Sequence, residues 1–175
     1  MYDPAKGDWR ALKARGKPPL RPIDAASCLD TRRKRIYIAI GSYPKAKVPE
    51  NKNLLWAYDV EKNTWVDLQA KGQLPPRPKP VHGVNTSTMH YNSAVDTVIY
   101  FALSGKGQGA YAYDPDANKW TLATSEFPKD WRGQWRRASH AFYDPKLNVH
   151  FIFEAGDSMP KGKMRVYRYR RAKQK

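Results

Sequence analysis

The four histidines and the single cysteine are the residues of this 175-residue chain best suited to bind a metal or act in catalysis. His82, His90, His140 and His150 show no recognised zinc-binding spacing, and no His-Glu-x-x-His motif occurs. No Gly-x-Ser-x-Gly motif is present either. The sequence therefore predicts no catalytic residue, no metal site and no cofactor. His150 lies in an apolar strand pattern and is predicted to be buried, whereas His140 is the histidine best placed to meet a ligand.

Positive charge is the strongest remaining chemical signal. The chain has 32 Lys and Arg against 16 Asp and Glu, a net charge of +16. Cations concentrate in residues 6–21, 31–35, 131–137 and 161–175. Cations interleaved with aromatic rings can bind nucleic acid or acidic glycan through phosphate or sulfate contacts and stacking. The alternative is a basic surface that serves only solubility. The candidate binding residues in the third segment are Trp131, Arg132, Trp135, Arg136 and Arg137.

Two further basic features have different expectations. Arg21, Arg77 and Arg132 recur at intervals of 56 and 55 residues, each beside a Pro or Gly. These arginines either bridge neighbouring structural units or form a cationic mouth that recognises carboxylates or phosphates. Arg32-Arg-Lys-Arg35, by contrast, lies at a predicted turn, and its charges are expected to be in solvent.

Length and composition favour one folded domain. Apolar residues make up 41% and aromatic residues 13% of the chain, which is too much for a disordered basic tail. One cysteine, Cys28, excludes an internal disulfide framework. The longest apolar run, Ile36–Ile40, has the length of a buried strand, so no membrane span is predicted. Residues 1–8 lack the apolar region of a signal peptide, and the compartment is not predicted.

A repeat of about 55 residues organises the sequence. Tyr-Asp followed by Trp seven residues after the Tyr occurs at Tyr2, Tyr58 and Tyr113, and Tyr169 continues the series. Each copy contains short apolar or alternating runs separated by Asp, Asn, Pro and Gly, a pattern typical of strands and turns. The prediction is an all-β protein of four-stranded antiparallel meanders. Trp9, Trp65 and Trp120 keep the repeat phase and are predicted to be core residues.

These Tyr-Asp-Pro…Trp hairpins and the repeat length resemble the Kelch repeats of a galactose-oxidase-like β-propeller, with eroded glycines. The resemblance implies about three blades in this chain. Residues 1–22 give a fourth strand and a linker, 23–69 and 81–124 are blades, and 136–171 give three strands of the last blade. In such propellers the first strand of each blade lines the channel, which places His140 near a ligand. Copper oxidase activity is not expected, because Cys28 occupies a packing position and no histidine pair matches the copper ligands.

Three blades are too few to close a ring, since propellers use about four to eight. Either the chain is the C-terminal part of a larger propeller, or it is half of one and two copies form a six-bladed homodimer. The leading functional prediction is a non-catalytic module that presents loops to a protein or ligand partner, by analogy of fold. The alternative is a polyanion-binding module, and a carbohydrate-active enzyme is a third hypothesis.

Overall fold

The computed structural model of the chain describes residues 2–9, 11–19, 25–39, 55–76, 87–103, 107–126, 140–154 and 163–170. Within these ranges every regular element is a β-strand and no helix occurs, which confirms the predicted all-β class. The strands form a hairpin and three larger sheets. Strand positions agree with the sequence prediction to within a few residues.

The hairpin and sheet 1 come first along the chain. The hairpin consists of β1 (Tyr2–Asp3) and β2 (Asp8–Trp9). Sheet 1 is an antiparallel meander of β3 (Ala26–Asp30), β4 (Arg35–Ala39), β5 (Leu55–Asp59) and β6 (Thr64–Asp67). Four strands connected in sequence order match the predicted unit.

Sheets 2 and 3 repeat this meander, but sheet 2 has an additional strand and sheet 3 has three strands in the described residues. Sheet 2 begins with β7 (Lys71–Gly72), which pairs in parallel with its outermost strand, and continues as the antiparallel meander β8 (Ser87–Asn92), β9 (Thr97–Ala102), β10 (Gly109–Asp114) and β11 (Lys119–Thr124). Sheet 3 contains β12 (His140–Asp144), β13 (Val149–Glu154) and β14 (Lys163–Tyr167). The sequence did not predict β7.

One turn design closes six hairpins. In the β3–β4 turn, Asp30 Oδ1 accepts the backbone N–H groups of Arg32 and Arg33 at 2.9 and 3.0 Å, and Lys34 has a φ of 52°. A side chain that accepts from its own turn replaces hydrogen bonds the sheet no longer supplies. The six leading residues are Asp3, Asp30, Asp59, Asn92, Asp114 and Asp144. The residues four positions later, all with positive φ, are Gly7, Lys34, Asn63, Asp96, Asn118 and Asn148.

Sheet 2 packs between sheets 1 and 3. Its side chains alternate between two apolar clusters, as the two-residue period of a strand requires. Tyr113 meets Tyr37 of sheet 1 edge to face at 5.6 Å, and Phe101 meets Tyr167 of sheet 3 edge to face at 5.2 Å. The first strands of the three meanders are neighbours, with β3 beside β8 and β8 beside β12.

The three repeated tryptophans differ in burial. Each packs against the tyrosine of its own hairpin, with ring centroids 5.3, 5.0 and 5.1 Å apart for Trp9, Trp65 and Trp120. Trp120 is 1% exposed, as predicted for a core residue, but Trp9 is 75% exposed. The prediction for Trp9 was wrong because no described part of the chain packs on the β1–β2 hairpin as sheet 1 packs on Trp120.

The segments after β2 and after β6 run along the outer edge of the following sheet. Lys71 N–H donates to Asn118 O at 3.0 Å, and the equivalent Arg15 N–H donates to Asn63 O at 2.9 Å. We call residues 13–16 and 69–72 the edge straps. Gly72 has a φ of 90°, and a Cβ there would lie 2.3 Å from Trp120 O. Gly16 has the same conformation and a similarly close backbone neighbour. Only glycine fits these positions.

Replacing Gly72 with alanine is expected to lower the free energy of unfolding by about 2–4 kcal/mol, because the left-handed conformation and the contact with Trp120 O both oppose a Cβ. Gly7→Ala is the matched control. Gly7 also has a positive φ, of 63°, but nothing lies within 4 Å of the point that a Cβ would occupy, so the loss should stay near about 1 kcal/mol. Urea unfolding followed by circular dichroism measures both. Equal losses would contradict the strap geometry.

Candidate functional site

Arg33 lies at the centre of an ion cluster that joins turns of sheets 1 and 2. Its guanidinium donates to Asp30 at 3.0 Å, to both carboxylate oxygens of Asp96 at 2.7 and 2.8 Å, and to Asp116 at 2.7 Å. Arg33 comes from the β3–β4 turn, whereas Asp96 and Asp116 come from the β8–β9 and β10–β11 turns. One planar cation with five donors therefore connects three hairpins.

The electrostatics of this cluster hold its charges in place. Hydrogen bonding to Asp96 raises the pKa of Arg33, and the same contact keeps the pKa of Asp96 well below its usual range. Tyr91 donates to Asp96 at 2.6 Å, and its pKa is raised by burial and by that hydrogen bond. Arg32 also pairs with Asp96. The donors of Arg33 are thus engaged with residues of the chain itself, and the arrangement is that of a clamp.

The expectation that the Arg32–Arg35 turn projects its charges into solvent is wrong for two of its cations. The Arg33 side chain is 14% exposed and ion-paired, and Arg35 Nε lies 3.5 Å from Asp59 Oδ2. The reason is that sheet 2 places Asp96 and Asp116 beside Arg33, and the neighbouring strand β5 places Asp59 beside Arg35. Arg32, at 62% exposed, and Lys34, which is also exposed, fit the prediction.

Arg33→Gln is expected to destabilise the fold by about 2–4 kcal/mol, since it leaves the fully buried carboxylate of Asp30 without its cation. Arg32→Gln is the matched control. Arg32 sits one residue away and meets the same Asp96, but it is largely in solvent, so the change should cost less than about 1 kcal/mol. Chemical denaturation at pH 7.5 compares them. Similar losses of stability would show that the contacts of Arg33 do not stabilise the fold more than the exposed ion pair of Arg32.

A second polar cluster lies between sheets 2 and 3. The imidazoles of His90 and His150 stack with centroids 5.3 Å apart, and their Nδ1 atoms are 3.0 Å apart. His150 is fully buried and His90 is 8% exposed. The prediction that His150 is buried is confirmed, and its position is the interface between two sheets.

The ring protons of this pair are assigned from its hydrogen bonds. Asn92 Oδ1 accepts from Ala94 N–H at 3.1 Å, so Asn92 Nδ2 is the group that faces His150 Nε2 at 3.2 Å. His150 therefore carries its proton on Nδ1 and donates it to His90 Nδ1. His90 is then protonated on Nε2, which lies 3.3 Å from Thr88 Oγ1. The chain of donors runs in one direction, and it requires both imidazoles to be neutral.

The pKa values of both imidazoles reflect this environment. Burial lowers the pKa of His90 from 6.5 to about 4. Burial, with the neighbouring His90, lowers the pKa of His150 further. A proton added to either ring would place a donor against a donor. The cluster therefore acts as a neutral, buried contact between sheets.

The fold is expected to lose stability as the pH falls from 6.5 towards 4. In the unfolded chain both histidines take up protons near pH 6.5, whereas in the folded chain they stay neutral to a lower pH. Stability is therefore complete above pH 6.5, and each histidine removes up to about 1.4 kcal/mol per pH unit below it. Urea unfolding at pH 7.5, 6 and 5 measures the loss, and NMR titration of the imidazoles reads each pKa directly. Titration of either ring near 6.5 would contradict this account.

Asn92→Asp supplies a control with the opposite sign. Asp leads the equivalent turns elsewhere, so the bonds to Ala94 N–H and Tyr143 O–H remain available. A carboxylate oxygen would instead face His150 Nε2 and favour its protonated form. The variant should be less stable than the parent at pH 7.5 and should lose less stability on acidification.

The candidate residues chosen from the sequence do not coincide with these clusters. Arg21, Arg77, Trp131, Arg132, Trp135, Arg136 and Arg137 lie outside the described residues, and His140 is the first residue of β12, paired with Phe153. A signal for the histidine pair did exist in the sequence. Thr88, His90 and Asn92 alternate on one face of a strand whose other face is apolar, which indicates a buried polar row.

Neither cluster has the composition of a metal centre or of an acid–base pair. Among the described residues no group of three or more His, Cys, Asp or Glu side chains is arranged to hold a metal ion. The thiol of Cys28 packs against the core between sheets 1 and 2, and burial raises its pKa. A raised pKa keeps the thiol protonated and unreactive at neutral pH.

Comparison with known proteins gives no family assignment. No protein-family model matches the sequence, and no curated protein matches it significantly. In the described part of the chain, no helix is long and apolar enough to cross a membrane.

Proposed function

We propose that the chain is a non-catalytic interaction module built from Kelch-like propeller blades, which presents its connecting loops to a protein partner. The observation that supports this most is the regular stack of meanders with neighbouring first strands β3, β8 and β12. In a propeller the first strands surround the central channel, and the connections between blades form a rim where partners bind.

The polar chemistry of the described residues agrees with a scaffold role. The Arg33 cluster and the histidine pair are saturated by contacts between sheets, and they leave little capacity to bind a ligand or to transfer protons. Binding would therefore depend on the connections. Trp131 and Trp135, with the cations around them, are the proposed contact residues, together with Arg21, Arg77 and His140.

A polyanion-binding role is the second candidate, and net charge supports it. The ion pairs of the described residues use three arginines and four aspartates, so the chain's charge of +16 resides largely on its other cations. Phosphate or sulfate groups would be attracted to such a surface.

Salt dependence separates the two proposals. We expect the immobilised chain to retain a protein partner at 200 mM salt. The double variant Trp131→Ala/Trp135→Ala should lose this binding while its circular dichroism spectrum stays unchanged. Leu147→Ala, at an exposed apolar residue in the β12–β13 turn, is the control. In parallel, a fluorescent single-stranded oligonucleotide and a sulfated oligosaccharide are titrated at 50 and 200 mM salt.

Binding of either probe that weakens by about 1,000-fold or more over this range, with no salt-resistant protein retained, would favour the polyanion role and contradict the first proposal. Hydrolysis of a bound glycan would overturn both and restore the enzyme hypothesis.

A further inference from the structure

Sheets 1 and 3 each present an apolar face to solvent. On sheet 3 the exposed fractions are 54% for Phe142, 59% for Met164 and 61% for Val166. On sheet 1, Leu29 is 51% exposed, and it lies beside Ile36 on the same face. Adjoining apolar side chains of this kind usually mark a surface that another protein covers.

The two faces are complementary by position in the repeat. Seven residues after each turn leader lie Tyr37, Ile99 and Phe151; Tyr37 packs against sheet 2, and Ile99 packs against sheet 3. The face of sheet 3 that carries Phe151 is therefore equivalent to the faces of sheets 1 and 2 that pack against the next sheet. Six residues after the leaders, Val98 packs against sheet 1, while its counterpart Ile36 lies on the exposed face of sheet 1. The exposed face of sheet 1 is therefore equivalent to the face of sheet 2 that the preceding sheet covers.

The position of β2 agrees with a sheet seated on sheet 1. Trp65 in β6 precedes strap residue Lys71 by six residues, and Trp9 in β2 precedes strap residue Arg15 by six residues. Strand β6 belongs to sheet 1, whereas the strap that follows β6 binds sheet 2. The strap that follows β2 binds sheet 1, so by the same relation β2 belongs to a preceding sheet, one that packs on the exposed face of sheet 1.

Charge identifies which strand β2 fits. In the β1–β2 hairpin Asp8 lies directly opposite Asp3, and like charges in that position are unfavourable. In sheet 1 the hairpin register pairs Tyr58 with Trp65. Applied to β2 and the strand that contains β14, the same register pairs Trp9 with Tyr169 and places Asp8 opposite Arg170, where the repeat otherwise carries Asp.

Independently of what the loops bind, we propose that a second copy of this chain covers both exposed faces. Strand β2 of each copy pairs with the outer edge of β14 in the other copy, and sheet 1 of each packs on sheet 3 of the other. The exchange breaks a two-residue ladder in the β1–β2 hairpin, removes the Asp3–Asp8 apposition and covers Trp9. Two equal interfaces close the assembly, so it stops at two copies.

Charge reversal with mixing tests this assembly. Light scattering after size exclusion should give twice the 20.1 kDa of one chain. Asp8→Arg and Arg170→Asp each put like charges at both interfaces, and each should raise the dimer dissociation constant by roughly tenfold. Mixed in equal amounts, the two variants form a heterodimer with opposite charges at both interfaces, and dimerisation should return.

Glu126→Arg is the control for net charge, because Glu126 is an exposed residue that follows β11 in sheet 2 and faces neither interface. It should dimerise like the parent. A 20.1 kDa monomer at every concentration up to about 100 μM would overturn the proposal and leave sheets outside these 175 residues as the cover. A dimer that ignores both charge reversals, a mixture without recovery, or growth beyond two copies would also overturn it. The mass of the parent chain is measured with no partner present and with no substitution at Trp131 or Trp135, so failure here is distinct from failure of the proposed function.

Discussion

A strand with apolar side chains on both faces must be covered on both sides, and this constraint arranges the whole structure. In β9, Val98 and Ile99 point in opposite directions and both are fully buried. Such a strand is stable only between two other sheets, each within about 10 Å. The stacking of sheets 1, 2 and 3 follows from this requirement. Turn chemistry, straps and interface clusters then determine how the sheets align.

Apolar contact alone does not fix how one sheet slides over the next, and polar contacts supply that alignment. Between sheets 1 and 2 the contact is ionic and lies near the turns, where Asp116 still reaches solvent. Between sheets 2 and 3 the contact is deeper, and it uses neutral imidazoles hydrogen-bonded to Asn92. The difference agrees with the cost of burying charge, which rises steeply away from water.

Much of the fold follows from local sequence because the turn carries its own instructions. Asp, or Asn in one case, at the lead position and a residue tolerant of positive φ four positions later define each hairpin. In three hairpins with Tyr before the leader and Asn at the end, the phenol also donates to that terminal amide: Tyr58 to Asn63, Tyr113 to Asn118 and Tyr143 to Asn148. These features are short-range, and they predicted the strands to within a few residues.

The interface chemistry could not be predicted in the same way. Arg33 meets carboxylates 63 and 83 residues away, so its role depends on the packing of sheets and not on neighbours in sequence. Trp9 has the sequence context of Trp120 but not its burial, because burial depends on a covering sheet. The edge straps were missed for a related reason. Pro- and Gly-rich segments read as loops, and their pairing becomes evident only when the outer strand of the next sheet is in place.

The residues that hold the sheets together differ from most of the cations that give the chain its charge, and this affects how the protein can evolve and bind. Arg32, Arg33 and Arg35 are matched by aspartates within the stack, so the positive charge that distinguishes the chain contributes little to holding the sheets together. Exposed cations of the described residues that make no such contact can then change with little loss of stability, in the way surface charges usually do. A partner that selects by charge would act on those residues, while the apolar faces and their polar contacts stay constrained by packing. If the proposed function holds, stability and recognition depend on different residues of the same chain.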